Sequence, residues 1–135
     1  MILIVCVDDH NGMMFNHRRQ SQDRVLRADI LELTDGKKLW MNAYSRKQFA
    51  ESDAEKILVD ETFLDAAGDG EFCFVENADV SGCAERIEVI YLYHWNRDYP
   101  ADVYFPVDLS VWKCVETKEF AGSSHEKITR ERYTR

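Results

Sequence analysis

Residues 2–16 read ILIVCVDDHNGMMFN, and this stretch decides the fold. Ile2 to Val7 is an unbroken apolar run of six, the pattern of a strand covered on both faces. Such strands sit inside parallel sheets, so the chain is expected to be α/β rather than all-β. Asp8 and Asp9 end the run. In open α/β sheets ligands lie beyond the carboxyl ends of the strands, which makes both acids candidates for a site as well as for a turn. Asp8 to Phe15 is expected to be a loop around Asn11-Gly12, a dipeptide that favours tight turns.

Outward from this strand, apolar spacing predicts a helix from about Gln22 to Leu33. Leu26, Ile30 and Leu33 form one stripe, Ser21 is the expected N-cap and Gly36 the expected C-terminal stop. Lys38 to Met41 reads as a short strand. Ser45-Arg46-Lys47-Gln48 has the form of a capping box, so a short helix should begin at Ser45. A strand at Ile57 to Val59 follows. Asp60 is the expected cap of a helix through Ala67, closed by Gly68. Phe72 to Val75 and Ile87 to Trp95 are further strands, and Trp112 to Phe120 with Ile128 to Tyr133 form a closing antiparallel pair. The expected fold is a single α/β domain over residues 1–135. Its central sheet is mostly parallel, with antiparallel C-terminal edge strands and a few flanking helices.

Composition narrows the function. Seventeen basic and 25 acidic side chains give a net charge of −8, which argues against a general nucleic-acid or membrane-surface binder. No apolar run is long enough to cross a bilayer, and no basic segment precedes the first strand, so neither a membrane span nor a secretory leader is expected. The four cysteines, Cys6, Cys73, Cys83 and Cys114, form no CxxC pair. They read as buried reduced thiols of a cytoplasmic protein rather than as zinc ligands or disulfides. HExxH and HxHxDH are absent, and no metal is expected. Nothing in the sequence indicates a homo-oligomer. Glu51, Asp53 and Glu55 read as a solvated acidic face, and the alternating C-terminal charges as a guarded strand edge.

Three segments carry a family resemblance. IVCVDDHNGMMFN (4–16), LTDGKKLWMNAYSRKQF (33–49) and RIEVIYLYHWNRDYPADVYFPVDLSVWKCVETKEF (86–120) resemble, in order and spacing, the dihydrofolate reductases. That family opens with an apolar strand, an acid and Asn-Gly. It continues with Thr-x-Gly-Lys-Pro-apolar-Met-Gly-Arg-x-Thr-x-Glu-Ser and closes with a Phe-Pro turn, Trp-Lys and a strand pair. The resemblance covers most of the chain, with the middle, between Phe49 and Ile57, trimmed. It implies a reductase-like fold.

The departures argue against the reductase's chemistry. The resemblance places Leu26 where the family has the carboxylate that holds the pterin. The nearest alternative acid is Asp23, one turn earlier. HRRQSQDR replaces a Leu-Pro-Trp loop. Asn42-Ala43 stands for the Gly-Arg that holds cofactor phosphates, with only Ser45 keeping a hydroxyl nearby. Glu76-Asn77 replaces the Gly-Gly pair against the pyrophosphate, adding a like charge where phosphates would sit. Tyr93 replaces a threonine. No cofactor is therefore expected, and the signature glycine loops of riboflavin reductases are also missing.

Two polar segments stand out instead. Arg18, Arg19, Gln20, Ser21 and Arg24 lie before and at the start of the first helix, where arginine forks and free amides suit an anion. Ser123, Ser124, His125 and Lys127 form the loop between the last two strands, with hydroxyls, an imidazole and a lysine. The resemblance implies that these loops meet at the mouth of the ligand cleft. The leading expectation is therefore a non-reductase binding a small anionic, phosphate- or nucleotide-like ligand there. The alternatives are an enzyme of another class, with His125 as acid/base and Asp23 or Glu126 orienting it, a protein-interaction domain, and an atypical NADPH-dependent reductase. Each loop also has a structural reading, as a solvated helix entry and as a plain hairpin turn.

Overall fold

The structure is a computed structural model and describes residues 1–135, apart from the side chains of residues 52 and 53. Asp53, assigned above to an acidic face, thus lies outside the described side chains. In chain order the strands are β1 (Ile2–Val7), β2 (Gly12–Phe15), β3 (Arg18–Arg19), β4 (Leu39–Met41), β5 (Leu58–Val59), β6 (Phe72–Val75), β7 (Val89–His94), β8 (Val103–Tyr104), β9 (Lys113–Phe120) and β10 (Ile128–Thr134). The helices are α1 (Arg24–Leu33), α2 (Ala43–Arg46) and α3 (Phe63–Ala66).

Seven strands form one sheet in the order β5-β4-β6-β1-β7-β10-β9. From β5 through β7 every neighbour is parallel, whereas β10 and β9 add antiparallel at one edge. The apolar run of β1 explains its central place. Leu3, Val5 and Val7 face one core with Phe63, Ile90, Leu92 and Trp112, and Ile4 faces the other with Leu26, Ile30, Phe74 and Tyr93. Leu26 and Ile30 are fully buried, each contributing about 2 kcal/mol of apolar burial, and they fix α1 on the second face.

A smaller sheet, β3-β2-β8, forms an arm over the carboxyl end of β1. The segment expected as a loop is here mostly strand. β2 pairs with β8, and Phe15 and Arg18 face each other across a two-residue turn. Asn16 and His17 both have positive φ, 51° and 62°, the geometry of a tight hairpin whose twist matches its strands. Local pattern missed β2 because its partner, β8, lies about ninety residues on.

Four caps also differ from expectation. Asp23, not Ser21, caps α1, accepting from the amides of Val25 and Leu26. A carboxylate with two oxygens holds this end and a second loop at once, which a hydroxyl cannot. Asn42 caps α2, so that helix begins before Ser45, which is buried within it. Thr34 is the C-cap of α1, and Gly36 takes its left-handed φ of 74° in the turn beyond. Asp60 accepts from the Thr62 amide and hydroxyl one turn ahead of a shorter α3, which ends before Ala67. Of the cysteines, Cys73 is buried and its thiol is pushed up to about 12, mainly by desolvation. Cys114 is exposed on β9, against the expectation of burial.

A buried ion network locks the antiparallel edge to α1. Asp29 accepts from the Tyr93 hydroxyl at 2.6 Å, from Lys118 at 2.9 Å and from Arg130 at 2.8 Å. Burial opposes its charge, but these three donors outweigh it and lower its pKa. Asp29→Ala removes the acceptor from both Tyr93 and Arg130 in a site that water scarcely reaches. The expected loss is about 3 kcal/mol, read as a lower urea midpoint at unchanged slope. A change under about 0.5 kcal/mol would place this network among ordinary surface contacts.

Candidate functional site

The two polar loops meet, and the group that joins them is Asp23. Its backbone is extended as an N-cap requires, so its carboxylate lies across the first turn of α1. Oδ1 accepts from the amides of Val25 (2.9 Å), Leu26 (3.2 Å) and Ser123 (3.0 Å), and from the Ser123 hydroxyl (3.2 Å). Oδ2 accepts from the Ser124 amide (2.8 Å) and hydroxyl (3.0 Å), and faces Nδ1 of His125 at 3.1 Å. Burial alone would raise its pKa, but the Ser124 and Ser123 amides and His125 hold it far below the usual carboxylate range. The loop from Gly122 to His125 therefore does bind an anion, and that anion is the chain's own side chain.

His125 is buried, its ring stacked on Trp95 with centroids 4.6 Å apart. Nδ1 faces Asp23 and the Ser124 hydroxyl, while Nε2 lies 3.2 Å from Ser21 Oγ and 3.0 Å from the Tyr99 hydroxyl. A proton on Nδ1 satisfies Asp23 and leaves the single lone pair of Nε2 to be shared between the hydroxyls of Tyr99 and Ser21. Glu126, the other candidate to orient the ring, makes no hydrogen bond to it among the described residues. Gly122 is required here by close approach. A Cβ would lie 2.5 Å from Asp23 Oδ2 and 3.0 Å from the His125 carbonyl oxygen.

The other candidates are placed separately. The Arg24 amide donates to Ser123 Oγ at 3.1 Å, so its backbone joins the clasp. Lys127 pairs with Glu119 at 3.6 Å on the surface. Arg19 leaves the clasp altogether. It makes a two-pronged pair with Glu76 at 2.9 and 3.1 Å, and its guanidinium stacks over Tyr44 at 4.5 Å. Gln20 donates to Asp8, which is buried and also accepts from the Gly12 and His10 amides. Those donors outweigh desolvation and lower the Asp8 pKa, making it the anchor of the arm. Arg18 projects from the hairpin, exposed and without a side-chain bond among the described residues.

These pairings close the cleft between the arm and the strand ends. The void bounded by Cys6, Met13, Arg19, Gln20, Ser21, Val75, Glu76 and Trp95 is about 10 Å³. Asn42 Nδ2 donates to Asn77 Oδ1 at 2.8 Å, tying together the two segments that the resemblance assigns to cofactor phosphates. Open space lies elsewhere. A hollow of about 300 Å³ borders the arm at Phe15, Arg18, Arg19, Gln20, Tyr99 and Pro100. Another of about 470 Å³ lies against α1 and the turn after it. Sequence reasoning missed Tyr99 and Trp95 as partners of His125 and missed Asp29 as a buried acid. Asp29 alone left a signal, since it lies three residues after Leu26 on the apolar stripe of α1.

The clasp gives two expected outcomes. Gly122→Ala must displace the Asp23 carboxylate or the loop backbone, and should cost about 2 kcal/mol in chemical denaturation. Asp23 and Asp29 both have depressed folded-state values, below the ordinary 3.9 or so of a free aspartate. Their stabilisation is therefore present above about pH 4 and lost as pH falls towards the folded values. Urea midpoints should hold from neutral to mildly acid pH and drop below about 4. Asp23→Asn should flatten that drop, and an equally steep drop in the variant would exclude Asp23 as its source.

No protein-family model matches the chain, and no curated protein does. Solved structures do match. Among them is dihydrofolate reductase from Enterococcus faecalis complexed with NADP(H) and RAB-propyl. The superposition covers 99% of this chain and 95% of that one, with a TM-score of 0.68 and 14% identity. At that identity the likeness shows the architecture alone: the chain has the dihydrofolate reductase-like fold.

Proposed function

We propose that this protein is a non-reductase on the dihydrofolate reductase-like fold, and that it binds a small anionic, nucleotide-like ligand in a hollow that borders the arm. The observation that carries the reading is Arg18 beside the hollow of about 300 Å³ formed with Phe15, Tyr99 and Pro100. Phe15 is 46% exposed, an apolar ring left open to water beside a guanidinium that has no side-chain partner among the described residues. A planar group packed on the rings and an anion on the guanidinium would use both. The Arg19–Glu76 pair and the Asn42–Asn77 bond supply the other half of the reading. They fill with the chain's own side chains the place where the resemblance would put cofactor phosphates.

The test is thermal. A nucleoside mono- or diphosphate at about a hundred times its Kd adds about 2.7 kcal/mol to stability, so a panel of phosphates, nucleotides and pterins should contain a member that raises Tm by several degrees. Arg18→Ala should abolish that shift while leaving the unliganded Tm in place, because the side chain is exposed. NADPH should quench none of the three tryptophans. A panel without any shift would remove the ligand, and NADPH quenching would restore the reductase.

A further inference from the structure

We infer that Ser21 is an activated nucleophile, with His125 as its general base and Asp23 as the residue that positions the base. This site needs nothing from the ligand reading above. Ser21 Oγ lies 3.2 Å from Nε2 of His125, and Nδ1 of the same ring lies 3.1 Å from Asp23 Oδ2. A hydroxyl, an imidazole and a buried carboxylate in this order form the arrangement that activates a serine, whatever fold carries it. Ser21 and His125 are 104 residues apart in the chain, so the fold and not local sequence brings them together.

Three features favour a working relay over a fortuitous contact. Asp23 is held ionised by four backbone amides, so it can stabilise an imidazolium without taking its proton. The ring cannot turn, because Trp95 stacks on one face and both nitrogens are bonded. Ser21 is half-buried and borders the void of about 10 Å³ with Gln20 and Trp95. That volume holds no more than one water, so an ester must reach Oγ from the solvent side of the half-buried Ser21, which favours small, activated esters.

The steps balance without any further reagent. Ser21 Oγ bonds to the ester carbonyl carbon while its proton passes to Nε2 of His125. The same proton then goes to the departing alkoxide as the C–O bond breaks, releasing the alcohol and leaving acyl-Ser21. Water repeats the sequence, with His125 taking its proton and returning it to Ser21 Oγ, and a carboxylic acid leaves.

The direct test is covalent labelling with methanesulfonyl fluoride, a small reagent from which serine displaces fluoride. The native protein should gain one methanesulfonyl group, mapped by peptide mass spectrometry to Ser21. Ser21→Ala should gain none, and replacing the exposed Ser81 by alanine should change nothing. His125→Gln, checked for fold by circular dichroism, should slow labelling by about a hundredfold or more. Should the His125 variant fail to fold, the wild-type protein carries the same test: Ser21 should label at least about a hundredfold faster than the exposed Ser81. 4-Nitrophenyl acetate should be hydrolysed with a burst of one nitrophenolate per chain. Absence of label on Ser21, labelling no faster than in the guanidinium-unfolded chain, or a rate indifferent to His125 would overturn the inference.

Discussion

The Asp23 carboxylate holds the start of α1 and the last hairpin loop together. It ends α1, it gathers the loop between β9 and β10, and it orients His125, all with two oxygens. A buried carboxylate left unpaired costs several kcal/mol, and here its donors come from segments a hundred residues apart. The helix start and the last hairpin are thus coupled.

The same logic of internal satisfaction accounts for the closed cleft. Glu76 ends β6, where a lone negative charge in a partly dry groove would be unfavourable, and Arg19 reaches across from the arm to meet it. Asp8 ends β1 and is met in the same way by Gln20 and the turn amides. These acids stand at strand ends, the usual position for groups that meet a ligand in an open α/β sheet. In this chain they meet the arm. The fold is kept, and the groove is filled from within.

The likeness to dihydrofolate reductase at 14% identity fits this picture. What the two chains share is the architecture. Leu26, Glu76 and Tyr93 serve packing, ion pairing and hydrogen bonding here. Leu26 is core, Glu76 is a latch, and Tyr93 donates to Asp29.

By itself the sequence determined the strands of the larger sheet, the cover on both faces of β1 and the antiparallel close, because apolar runs and periodicity are local properties read against water. It also marked the two polar loops and, through the resemblance, their meeting. Tertiary structure decided the rest. That β2 is a strand depends on β8, that Asp23 rather than Ser21 caps α1 depends on the distant amides of Ser123 and Ser124, and that Arg19 turns away from His125 depends on Glu76. Hydrogen bonds and ion pairs between remote segments are selected by geometry after the core has formed, and residue type alone does not encode which of several available partners a polar side chain will reach.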